Sequence, residues 1–254
     1  MNAIRAEWVK LRSLRSTWYT LGTLLVLGLG ITTLTMSSMH RQYFEASPAD
    51  RAAWDPTGQS LKTYIVAQLV VGVLGILIVT SEFATGLIQT TLAANPRRSR
   101  LLAAKSLVAT VVAAAAGQLL MFAAFLLGQA VLAAQDVPSA SLGDPGVFSA
   151  VIGGGLYLSA IALLALGLGA IMRATAGALA TLVGIVFLVP ALSGLFPSWL
   201  HGVLACWPTL GAAAIFNTIP DPAYPHPWLN LGGLWLGVLA VLAAAFFVFR
   251  KRDV

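Results

Sequence analysis

Charge is scarce in this chain. Only 9% of its 254 residues are Asp, Glu, Lys or Arg, where a soluble domain carries about a quarter, so there is too little polar surface to face water on all sides. There is one cysteine, Cys206, which excludes an intrachain disulfide and leaves the redox compartment unreported. The three histidines, His40, His201 and His226, are scattered without metal-ligand spacing, and no metal is expected. No phosphate-binding G-x-x-x-x-G-K-[ST] run occurs. Lys105-Ser106 comes nearest, but Ser99 and Ala104 stand where that loop needs glycines, so this chain is not expected to hydrolyse ATP itself. No apolar run carries the clustered His, Glu or Asp, or the Ser with a base, that an intramembrane enzyme requires.

What the chain does have is apolar length. Its hydrophobic fraction is 58% and its mean hydropathy is +0.86. Runs long enough to cross about 30 Å of hydrocarbon lie at Trp18–Ser38, Leu61–Thr80, Ser106–Ala134, Phe148–Met172, Ala176–Phe196 and Trp228–Phe249. The first lacks a small-residue cleavage site and reads as a span rather than a leader. None has an acidic residue in its middle, which tells against a secondary transporter driven through intramembrane carboxylates. The expectation is one all-α membrane domain over residues 1–254, with six transmembrane helices.

Net charge is +6, but the cations flank apolar runs without aromatic interleaving, so nucleic acid is not an expected partner. They sort instead by side of the membrane. Arg5, Lys10, Arg12, Arg15, Arg97, Arg98, Arg100, Lys105, Arg173, Arg250, Lys251 and Arg252 fall on one side, and Arg41, Arg51 and Lys62 on the other. The excess belongs inside. A multi-pass protein of the cell membrane is expected, with both termini cytoplasmic. A seventh span over Ser198–Ile219 would carry the basic tail outside. With Pro197 before it, Pro208 breaking it and Trp199, His201 and Trp207 within it, that stretch reads as an outer re-entrant or interfacial segment, extending over residues 198–227.

Two inner pieces hold the candidate functional residues. Residues 1–17 carry an amphipathic helix, with Ile4, Trp8 and Leu11 on one face and Arg5, Lys10, Arg12 and Arg15 on the rest; Glu7 is placed to support Lys10 at i+3. It reads as an interfacial helix or as a plain basic flank. Residues 81–105 form the second. Ser81 is placed to cap a short helix, with Glu82 at its positive end, an apolar stripe of Phe83, Leu87, Ile88 and Leu92, and a stop at Asn95-Pro96. From pattern alone this helix fits a membrane-surface turn as well as a docking knob for a cytosolic partner.

Glu7-Trp8-Val9-Lys10-Leu11-Arg12-Ser13 with Arg15-Ser16-Thr17, and Glu82-Phe83-Ala84-Thr85-Gly86 running on to Leu92, Pro96-Arg97-Arg98 and Lys105, resemble type-2 ABC transporter permeases of the actinobacterial type. Leu87 and Gln89 depart from that family pattern, where Thr and Arg are commoner. The resemblance implies an exporter permease subunit, working as a dimer with a second copy or a paralogue and coupled to a separate ATPase subunit that binds ATP and magnesium. It implies no cofactor in this chain. It further implies coupling to the ATPase through Glu82, Phe83, Gly86, Leu87, Ile88, Pro96, Arg97 and Arg98, and an inner-leaflet helix carrying Trp8, Lys10, Arg12 and Arg15. A non-transporting membrane anchor or sensor is the rival reading.

Overall fold

In hydrocarbon a backbone must satisfy its hydrogen bonds within its own segment, and apolar runs of this length therefore fold as helices. The structure, a computed structural model, describes residues 3–94 and 97–251, and every regular element among them is helical. In chain order these are α1 (Ala3–Ser13), α2 (Arg15–Ser37), α3 (Met39–Glu45), α4 (Pro48–Ala52), α5 (Pro56–Leu61), α6 (Tyr64–Ala84) and α7 (Leu87–Ala94). They continue with α8 (Arg98–Ala133), α9 (Val147–Met172), α10 (Thr175–Val183), α11 (Val189–Ala191), α12 (His201–Ala205) and α13 (Pro227–Lys251).

Among the described residues, five helical stretches are long and apolar enough to cross a membrane: Arg15–Glu45, Pro56–Ala84, Arg98–Ala133, Val147–Met172 and Pro227–Lys251. The run expected as a span over 176–196 is shorter and broken. It is helical over Thr175–Ala191, with a π turn at Gly184–Leu188 just before Pro190. Proline has no amide hydrogen and its ring crowds the carbonyl four residues back, so the helix widens there to relieve the clash. The stretch Ser198–Ile219 contains no long helix. It breaks into a 3-10 turn at Ser198–Leu200, α12 and a 3-10 helix at Gly211–Phe216, whose six residues are all buried.

The bundle is built around α9. Its most apolar stretch is 89% buried, against 22% for those of the first and last spans, and α6, α8 and α13 all pack on it. Small residues make this possible. At Gly75 of α6 a Cβ would stand 2.1 Å from the backbone oxygen of Ala162, so the two helix backbones touch with no side chain between them. Gly153, Gly154 and Gly155 likewise leave room for Ile215, Phe216 and Gln118. Gly233 and Gly237 form a G-x-x-x-G, but Gly233 receives Cys206 and Gly237 faces open space, so among the described residues that pair is not a helix–helix seam.

The three span-depth glutamines are all used in packing. Gln68 Oε1 accepts from Tyr157 at 2.7 Å, Gln118 Nε2 donates to the Val151 carbonyl, and Gln129 donates to Ser60 Oγ and the Pro56 carbonyl while accepting from the Ala140 amide. On the same side as Gln129, Asp55 joins segments distant in sequence. It caps α5 through the Gly58 amide at 2.9 Å and accepts from the Thr218 amide at 2.7 Å and the Thr218 hydroxyl at 2.8 Å. Asp55→Ala removes an N-cap and strands those donors, so a loss of about 2 kcal/mol is expected. Hydrogen exchange at the Thr218 amide should accelerate correspondingly, and unchanged protection there would contradict this account.

Candidate functional site

At the opposite end, three helices converge on buried charge. α1 ends at Ser13, where Leu14 takes an extended conformation (φ −78, ψ 121) before α2 begins. The Trp18 indole closes that hinge by donating to the Arg12 carbonyl at 2.9 Å. Of the Ile4, Trp8 and Leu11 face, α1 turns Leu11 into the bundle. Its buried partner one turn back is Glu7, while Ile4 and Trp8 are 44% and 46% exposed.

Glu7 is buried because it has a charged partner on another helix. Lys105, in α8, donates to Glu7 Oε2 at 2.8 Å and also to Glu82 Oε1. Lys10 donates to the same Glu82 oxygen, so the expected local pair of Glu7 with Lys10 is replaced by pairs between helices. Glu82 and Lys105 are 1% and 2% exposed. Two acids and two bases sum to zero, which is the condition for holding ions in a low-dielectric shell. That shell consists of Leu11, Val79, Ile88, Leu101, Leu102 and Phe249, among others.

Several expectations for this region are corrected. Ser81 does not cap a helix: it lies inside α6 and its hydroxyl donates to the Leu77 carbonyl. Glu82 therefore sits in the last turn of a long helix rather than at the start of a short one. The break comes later, at Gly86, whose φ of 71 is a left-handed conformation that glycine adopts without strain. Phe83 and Leu87 consequently stand on different helices. Phe83 packs edge-on against Phe249, under the Arg173 guanidinium. Ile88, at 3% exposed, points into the bundle, and only Leu87, at 49%, faces out. The continuous stripe of Phe83, Leu87 and Ile88 does not form, because the helix turns at Gly86.

Lys105 is not a loop cation. α8 already begins at Arg98, so the segment between long helices is shorter than the expected 81–105. Arg97 precedes that helix and is exposed. Pro96, with Asn95, lies outside the described residues, as does the side chain of Leu92. Of the α1 candidates, Lys10 joins the ion cluster, and Trp8, Arg12 and Arg15 face outward. Sequence reasoning missed Glu7 and Lys105 as partners. The available signal was that Glu82, one of nine acidic residues, stands directly beside an apolar run, where a carboxylate needs a cation from another segment.

A helical bundle with five potential crossings, and a basic helix tied beneath it by buried ion pairs, is the architecture of a multi-pass membrane protein. A family model described as ABC-2 family transporter protein matches residues 3–191, and the chain belongs to that family: it is a type-2 ABC transporter permease, a membrane component of a transporter. The match spans α1 to α11 and includes all four members of the ion cluster. No curated protein gives a significant match.

Proposed function

We propose that this chain is the membrane subunit of an ABC exporter, paired with a second copy or a paralogue and driven by a separate ATPase subunit that holds ATP and magnesium. In this reading the broken helix Thr175–Ala191 is the sixth crossing, the short helices within 198–219 are re-entrant or interfacial on the outer side, and both termini are cytoplasmic. The charge asymmetry between the two sides supports that orientation, and family membership supports the ATPase partner.

The observation that carries the coupling role is the buried cluster of Glu7, Lys10, Glu82 and Lys105. It ties α1, the end of α6 and the start of α8 into one body directly behind α7. A push on α7 then moves two membrane helices together, where a loose loop would absorb it. Among the described side chains of α7, Leu87 is the exposed large apolar one, with Thr90 and Gln89 beside it and Arg97 at the far end of the segment. Phe83 and Ile88 act from behind, by holding α7 on the bundle.

Burying one leucine is worth about 1.5–3 kcal/mol. Leu87→Asp is therefore expected to reduce co-purification of the ATPase subunit more than tenfold, while membrane insertion and thermal stability of the permease stay as they were. Full complex yield in that variant would leave α7 as a surface turn. Absence of any ATPase from native-membrane purifications would favour the anchor or sensor.

A further inference from the structure

On the outside of the bundle, where α1 bends into α2, a groove of about 720 Å³ runs against α8. Its walls include Trp8, Arg12, Trp18, Gly22, Ala116 and Leu119. The groove exists because its floor is small: a Cβ at Gly22 would meet nothing within 4 Å, and α8 presents Ala115 and Ala116 opposite. From Val111 to Leu119 the wall of α8 runs about 12 Å, most of the roughly 15 Å depth of one leaflet's hydrocarbon.

The groove is apolar along its length and polar at one end only. Trp8 and Trp18, 46% and 60% exposed, frame that end at the level where indoles favour the membrane interface. Arg12 lines it, and no acidic side chain does. Glu7, the acid on the same helix, is turned away and paired with Lys105. Arg5 and Arg15 are exposed nearby. We propose that this groove is a binding site for an anionic phospholipid of the leaflet in which α1 lies, with its phosphate at Arg12 and one acyl chain along Gly22 and Ala116.

A second copy is the poorer occupant. A two-fold dimer through this face would set the same patch against itself, bringing Arg5, Arg12 and Arg15 of both chains together with no carboxylate between them. A lipid supplies the missing negative charge and fills the apolar channel in one molecule. The inference depends only on α1 lying at a membrane surface, not on the transport reading.

The test is lipid retention. Purified protein is equilibrated in micelles with equimolar phosphatidylglycerol and phosphatidylcholine, washed, and its retained lipid quantified by mass spectrometry. One arginine near the surface gives a preference of about fivefold for the anionic lipid. Arg12→Gln should bring the ratio close to one, while Arg41→Gln, on α3 at the other end of the bundle, leaves it unchanged. Gly22→Leu, which fills the channel, should lower retention of both lipids at an unchanged elution profile and thermal midpoint. A ratio near one in the natural protein would overturn the proposal, as would a preference that survives Arg12→Gln. So would efficient disulfide cross-linking between copies through Leu119→Cys on a Cys206→Ser background, which would show that a second chain covers the groove. Because Arg12 is exposed, its replacement reports even if Gly22→Leu fails to fold.

Discussion

Lys105→Met is expected to destabilise the protein by about 3–5 kcal/mol, the cost of leaving a buried charge without its partner. Lys105 serves two carboxylates at once. Its loss leaves Glu7 with no partner among the described residues, and Glu82 with Lys10 alone. Glu82 has little reserve, because its Oε2 already lacks a hydrogen-bond donor among the described residues. The double variant Lys105→Met with Glu7→Gln restores neutrality, leaving the Glu82–Lys10 pair, and should recover most of the loss. Thermal unfolding in mild detergent measures both. If the double variant is as unstable as the single one, lost packing of the lysine stem rather than charge is responsible, and the cluster is not the tie between α1, α6 and α8 that coupling requires.

Gly75→Ala should be nearly as damaging, although it adds a single methyl group. The methyl would stand 2.1 Å from the Ala162 backbone oxygen, and a backbone cannot step aside as a side-chain tip does. α6 and α9 must separate, which overpacking data put at about 1–3 kcal/mol. That separation also pulls on the Tyr157–Gln68 hydrogen bond, which joins the same two helices. Gly30→Ala, on α2, adds the same group where nothing lies within 4 Å and should leave the thermal midpoint in place. Equal midpoints for both variants would mean that the α6–α9 contact is looser than its geometry.

Most of the fold was legible because the bilayer restricts the choices. A run such as Phe148–Met172 has little alternative to a helix, and the structure places α9 at Val147–Met172. The run over 176–196 was legible as apolar but not in its shape, since hydropathy does not register the π turn that forms just before Pro190. The candidate site was legible as a region but not as geometry. Ser81 and Glu82 look like a helix start in one dimension, yet the preceding apolar residues carry the helix through them to Ala84. Glu7 looked like a local partner for Lys10 because sequence spacing shows only neighbours along one helix. The pairing of Glu7 with Lys105 spans 98 positions and depends on α1 folding back against α8. The lipid groove left no motif at all: it is made by the absence of a side chain at Gly22.

The unbroken length of α8 has a mechanical meaning. Its 36 residues run as one uninterrupted helix from Arg98 to Ala133, and along it Lys105 is bonded into the ion cluster while Gln129 is bonded to Ser60 and Ala140 at the far side. Those two anchors are about 36 Å apart on a straight helix. A rod pinned at both ends has few ways to move. If its Lys105 end is tilted by about 5°, its Gln129 end shifts by about 3 Å on that arm, enough to break the Gln129 hydrogen bonds. An event at one end of the bundle thus reaches the other as a question of leverage, with the loops around Gln129 reading the angle of a single strut.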